Sequence, residues 1–249
     1  MAHFLSIESF IFYPEREFWA FPSEGGMSYE DVYLSCPDGV TLHGWFIPGR
    51  GETTLLFFHG NGGNISHRIE KIRLLFHPEI PVLMIDYHGY GLSEGKPSEP
   101  SCYLDAITAW EYLNRERQKD PKKIILFGES LGGAVAVDLA MKKEVGGVIL
   151  ESTFTHIGDV MARFILGIGA FLKGRFDSLS KISNVNAPLL ILHGDQDEIV
   201  PYALGQRLFE KANEPKEFFT IQGAHHNDTY EIGGEAYRET IRGFIKRQG

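Results

Sequence analysis

Apolar residues in this chain fall into short unbroken runs instead of strict alternation. Thr-Thr-Leu-Leu-Phe-Phe at 53–58, Val-Leu-Met-Ile-Asp at 82–86, the apolar stretch before Gly128, Gly-Val-Ile-Leu at 147–150 and Ala-Pro-Leu-Leu-Ile-Leu at 187–192 are such runs. Runs of this kind mark strands covered on both faces. Between them the apolar spacing becomes helical, as in Leu104, Ile107, Ala109, Trp110 and Leu113. That spacing predicts helices over 66–76, 102–118, 201–212 with Pro201 in its first turn, and 230–247, with a further helix after residue 130 and a last strand over 217–221. Two earlier runs, 29–35 and 40–47, are joined by Cys36-Pro37-Asp38-Gly39, a turn sequence that makes them an antiparallel hairpin. Strands alternating with helices predict an α/β domain: a mostly parallel, twisted sheet of about eight strands with helices on both faces. Residues 152–186 break the rhythm and read as an insertion within a single domain spanning 1–249.

The stretch from 122 to 147 holds an apolar run, Gly128-Glu129-Ser130-Leu131-Gly132, and then a helix-type run. Strand, sharp turn and helix expose the serine at the apex, provided that the flanking positions carry no side chain to clash with the folded backbone. A second match, Gly91-Leu92-Ser93-Glu94-Gly95, is followed by Pro97 and Pro100 where a helix is required. Ser130 is therefore the nucleophile candidate and Ser93 is not.

The net charge of −9 and a pI near 5.6, with basic residues dispersed, exclude a surface that tracks phosphates and hence nucleic-acid partners. Small neutral or apolar substrates fit better. Cys36 and Cys102 form no paired motif and have no histidines at metal-ligand spacing, so no metal or other cofactor is expected, and a reducing cytoplasm fits. The N-terminal segment lacks a basic region. Glu8 and Pro14 interrupt it well short of the ~20 residues that cross a bilayer, so it reads as neither signal peptide nor anchor. Phe4, Leu5, Phe10, Ile11 and Phe12 either pack on the domain or make a weak contact with a membrane surface.

A serine hydroxyl is a weak nucleophile at neutral pH and needs a histidine base, itself oriented by a carboxylate. Downstream strands end in His193-Gly194-Asp195-Gln196-Asp197 and in Gly223-Ala224-His225-His226. Two acids and two histidines compete for the two roles, in the order serine, acid, histidine. One donor to the oxyanion is expected from the backbone N–H of Leu131, directly after the nucleophile.

With these motifs, Phe58-His59-Gly60-Asn61-Gly62-Gly63-Asn64 and Asp86-Tyr87-His88-Gly89-Tyr90-Gly91, the chain resembles the α/β-hydrolase fold superfamily over nearly its full length. Within it, the chain is similar to the Bem46-like and ABHD-type serine hydrolases. The resemblance implies Asp197 as the acid, His226 as the base and the backbone of Asn61 as the second oxyanion donor. It leaves Asp195 to bond local amides. His225 stands where glycine is usual, as a loop residue that could narrow the pocket mouth. His88 stands where arginine is usual, and reads as part of a structural hydrogen-bond network or as a second base. The insertion 152–186 becomes a small helical cap, in which 160–172 either contacts an acyl chain or packs on the domain; Tyr87, Phe154 and Phe164 are pocket candidates. The implied activity is hydrolysis of a small-molecule ester or thioester through an acyl-enzyme. A peptidase or acyltransferase on the same triad, or a non-catalytic ligand-binding protein on this fold, are the alternatives. Substrate identity, acyl length and oligomeric state have no signal in the sequence.

Overall fold

A computed structural model describes residues 7–76, 78–164, 169, 172 and 174–248. Eight strands form one sheet: β1 (Glu30–Ser35), β2 (Thr41–Ile47), β3 (Thr54–Phe58), β4 (Val82–Ile85), β5 (Ile124–Glu129), β6 (Gly147–Glu151), β7 (Leu189–Gly194) and β8 (Lys216–Ile221). Their order across the sheet is β1-β2-β4-β3-β5-β6-β7-β8. β2 runs antiparallel to both β1 and β4, and the remaining neighbours are parallel. This is the α/β-hydrolase architecture, with the expected hairpin at its edge.

The unbroken apolar runs are explained by cover on both faces. Leu56, Phe58, Leu126 and Leu150 join one core, while Leu55, Phe57, Ile125, Phe127 and Ile149 join the other. Among the described residues the α-helices, in chain order, are α1 (Ile69–Leu75), α2 (Glu99–Glu111), α3 (Leu131–Lys142), α4 (Ile157–Met161), α5 (Ser178–Lys181), α6 (Tyr202–Lys211), α7 (Thr229–Ile232) and α8 (Gly234–Gln248). α2, α3 and α6 close the first core; α1 and α8 close the second.

Local chemistry moves several boundaries. α2 starts three residues before the sequence expectation, because Ser98 Oγ accepts the Ser101 N–H at 3.1 Å. Pro100 then falls in the first turn, where no backbone donor is needed. The helix expected over 66–76 is a 3₁₀ turn, Ile65–Arg68, followed by α1, with Asn64 Oδ1 accepting the Ser66 N–H at 3.0 Å. The last helix divides at Gly233 and Gly234, the latter with φ of 53°.

In the insertion, the apolar stretch expected over 160–172 ends its described helix at Met161; residues 165–168, 170 and 171 of it lie outside the described residues, as do Phe4 and Leu5. From Phe10 onward the N-terminal segment packs on the domain: Ile11 and Phe12 are buried, Phe12 meets Phe176 edge to face at 6.0 Å, and Tyr13–Pro14 pairs in parallel with Gly62–Gly63. Among the described residues no helix is long and apolar enough to cross a membrane.

Candidate active site

β5 delivers Ser130 to its carboxyl end, and α3 starts at the next residue. Ser130 sits at φ 52°, ψ −112°, a conformation that costs a non-glycine residue roughly 1–3 kcal/mol and lifts its side chain clear of the turn. The strain is held on both sides: Ser130 N–H donates to Glu151 O at 2.8 Å, and Thr153 Oγ1 donates to Ser130 O at 2.8 Å. Close approach explains the neighbouring glycines. A Cβ on Gly132 would stand 2.1 Å from Phe58 O, and one on Gly128 would stand 2.4 Å from Gly132 O.

The competition among acids and histidines has a geometric outcome. His226 Nε2 lies 3.1 Å from Ser130 Oγ, and His226 Nδ1 lies 2.8 Å from Asp197 Oδ2. Asp197 Oδ1 accepts the N–H groups of Ile199 and Val200 at 3.0 and 2.7 Å. Burial opposes the charge on Asp197, but its contacts with His193 and His226, together with the Val200 amide, outweigh burial and hold its carboxyl well below the usual range. His193 Nε2 donates to Val200 O at 2.9 Å and stands 3.4 Å from Asp197 Oδ2. Asp195 lies outside this arrangement, with Oδ1 accepting the Gly223 N–H at 2.7 Å. His225 is exposed and bound through Nδ1 to Glu198 Oε2 at 3.0 Å.

Ser130 and His226 open onto a cavity of about 540 Å³, whose wall includes Asn61 and Leu131. Among the described residues, neither the Asn61 nor the Leu131 backbone N–H is committed to another acceptor in the chain. The start of α3 adds the positive end of a helix dipole at the same place. The rest of the wall is mainly apolar. Phe154, Ile157, Val160, Met161 and Phe164 come from the segment after β6, Ile199 and Val200 from the acid loop, and Ile11 and Tyr13 from the N-terminal segment.

Two pocket expectations are corrected. Tyr87 is fully buried and donates its hydroxyl to His59 O at 3.0 Å, so it lies under the Asn61 loop and not in the wall. His225 points away to Glu198 and is absent from the wall, because the loop aims only the second histidine inward. No sequence pattern marks the contribution of Ile11 and Tyr13, since only the fold brings residues 11–14 beside the Asn61 loop.

Beneath that loop, His59 Nδ1 donates to Gly60 O at 2.7 Å, and burial pulls its ring down to about 3. Its buried neighbour Asp86 accepts the Ile65 N–H at 3.0 Å with Oδ1, while Oδ2 has no partner among the described residues. Burial pushes Asp86 up to about 8. An unfolded aspartate titrates near 3.9, so between about pH 4 and 8 the folded chain holds a proton that the unfolded chain releases, and stability falls by about 1.4 kcal/mol per pH unit. Asp86→Asn keeps the acceptor for Ile65. Its urea midpoints should therefore gain on wild type steadily from pH 5 to 8, and a constant difference between the two proteins would refute this assignment.

Ser93 is buried, accepts the His43 N–H at 2.8 Å and donates to Asp86 O at 2.7 Å, a structural role. His88 likewise belongs to a hydrogen-bond network, with Nδ1 2.6 Å from Asp105 Oδ1 and Nε2 3.2 Å from Asp38 Oδ2. Cys36, His88 and Asp105 bring ligand-type atoms within 4.8 Å of one another, but the close histidine–aspartate pair is a hydrogen bond, and the three are absent from the cavity wall.

Residues 50–181 match the serine aminopeptidase S33 family. The α/β hydrolase domain-containing protein WAV2 of Arabidopsis thaliana is 36% identical over 250 residues, 91% of this chain and 81% of that protein. Protein bem46 of Schizosaccharomyces pombe is 35% identical over 240 residues, 90% and 79% of the two chains. The chain belongs to the Bem46-like α/β hydrolases. The hydrolase also superposes on the Pyrococcus furiosus esterase Pf2001 with a TM-score of 0.81, at 24% identity over 95% of this chain and 100% of that one, a likeness of fold.

Around the hydrolase's elbow stands a set of buried and half-buried charges that no sequence motif marks. Arg68 Nε lies 2.9 Å from Glu129 Oε1, and Lys71 Nζ lies 2.8 Å from Glu129 Oε2 and 2.5 Å from Glu151 Oε1. No local pattern marks these residues, which are brought together only by the sheet register and the docking of α1.

Proposed function

We propose that this hydrolase cleaves carboxylic esters or thioesters carrying an apolar acyl group, through a covalent acyl-enzyme on Ser130. His226 takes the serine proton as Oγ bonds to the acyl carbon, then gives that proton to the departing alcohol or thiol as the original acyl bond breaks. A water then attacks, with its proton passing to His226, and the acid leaves as the Ser130 oxygen regains a proton. Asp197 keeps the imidazole in one tautomer, and the Asn61 and Leu131 N–H groups receive the oxyanion. The observation that carries this reading is the Ser130–His226–Asp197 chain opening on a largely apolar wall.

The family's description raises the aminopeptidase reading, which requires a free carboxylate in the cavity to hold a peptide's terminal ammonium. Among the described wall residues the acid is Glu129, already bound by Arg68 and Lys71. That favours esters. A fluorophosphonate probe is expected to label Ser130 in the wild type and to leave Ser130→Ala unlabelled; folded wild-type protein that resists labelling would falsify the mechanism and revive a non-catalytic role. Across p-nitrophenyl esters, kcat/KM is expected to rise from acetate by up to about fourfold per methylene, the equivalent of about 0.8 kcal/mol of burial each, until the cavity is full. A profile already highest at acetate would refute the acyl role of the apolar wall.

A further inference from the structure

β5 and β6 are adjacent and parallel, and their register sets Glu129 opposite Glu151. Side chains at paired positions share a face of the sheet, so two carboxylates stand side by side, which is unfavourable unless a cation joins them. Lys71 is that cation. Glu151 is 1% exposed and Lys71 5%. Ion pairs this deep add little net stability over well-packed apolar side chains, so fold stability alone does not account for them.

What the cluster reaches is the nucleophile turn, the histidine loop and the Asn61 loop. The Glu151 backbone carbonyl accepts the Ser130 N–H, while its carboxylate accepts the hydroxyl of Thr229 at 2.6 Å and that of Tyr237. Thr229 opens α7, three residues beyond His226. One residue thus holds the nucleophile's turn by its main chain and the histidine loop by its side chain. Arg68 extends the same set toward the Asn61 loop, with a guanidinium nitrogen 3.4 Å from Gly62 O.

We propose that Glu151 is a positioning residue that sets the separation between Ser130 and His226, with Lys71 and Thr229 fixing its carboxylate in place. The inference rests on the reading of Ser130, His226 and Asp197 given above, and predicts a loss in turnover without a loss in substrate binding.

Thr229→Val removes only the hydroxyl, and Glu151→Gln removes the charge at nearly constant volume. On p-nitrophenyl butyrate, kcat is expected to fall about fivefold in Thr229→Val and about 10–100-fold in Glu151→Gln, with KM within about twofold of wild type. The glutamine still offers Thr229 an acceptor but no charge for Lys71, so the two changes loosen one link from opposite sides, and the double variant should lose less than the product of the two single losses. A merely structural role would lower the melting midpoint, disturb KM with kcat, and add in the double variant. Unchanged kcat in Thr229→Val, or additive losses in the double, overturns the proposal. If Glu151→Gln does not fold, Thr229→Val decides alone: a selective loss of kcat supports the link and an unchanged kcat refutes it. Failure of the underlying site reading is distinguishable, because then the wild type itself would not be labelled at Ser130 by a fluorophosphonate.

Discussion

His226→Ala is expected to lower kcat by about 10⁴–10⁶, while His225→Ala leaves it within about threefold of wild type. The two histidines are sequence neighbours of one type, yet their surroundings differ in every respect that matters to proton transfer. His226 Nε2 faces the serine oxygen at 3.1 Å and Nδ1 faces a buried carboxylate at 2.8 Å. An imidazolium formed there meets a charge that is already in place, because Asp197 stays ionised far into acid. His225 meets an exposed partner, Glu198, in a contact whose removal costs about 0–1 kcal/mol. Residues that act as a unit lose their effect together, so Ser130→Ala/His226→Ala should be no slower than either single variant. Initial rates on a p-nitrophenyl ester, with active protein counted by fluorophosphonate in the wild type and by folded mass in the variants, make the comparison. Activity that survives His226→Ala but disappears in His225→Ala would reverse the assignment.

Why one assignment was open in the sequence and another was not follows from the physics of each. Buried parallel strands leave a compositional mark, because both faces demand apolar side chains; the runs before Gly128 and at 187–192 therefore mark β5 and β7 closely. The turn at Ser130 leaves a mark because only glycine fits beside Phe58 O and Gly132 O. The choice between His225 and His226 leaves none, since a loop's path decides which ring faces inward. Tyr87 departs from its expected place for a related reason: its position beside a signature loop is local information, but its burial under His59 is tertiary. Lys71, Glu129 and Glu151 are of types that usually face solvent, and their contacts span 58 and 80 positions. Only the pairing of β5 with β6 and the docking of α1 make them one cluster.

That cluster sets the largest expected stability effect, in Lys71→Met. Removing the ammonium leaves Glu129 and Glu151 opposed across neighbouring strands, and loss of one partner of a buried ion pair costs about 3–5 kcal/mol. Arg68 still neutralises Glu129, so the burden falls mainly on Glu151, whose remaining partners are the hydroxyls of Thr229 and Tyr237. The sign of the pH dependence follows. A buried carboxylate without its cation binds a proton more tightly in the folded chain than the value near 4.3 of an unfolded glutamate, so the variant regains stability as pH falls. Urea unfolding should show the deficit relative to wild type largest at pH 8 and smaller at pH 5. Lys71→Met/Glu151→Gln should recover part of the loss at pH 8, because the glutamine has no charge to compensate. A Lys71→Met protein within about 1 kcal/mol of wild type at pH 8 would mean that water reaches this cluster and screens it, and the tight coupling of the elbow to the histidine loop would fall with it.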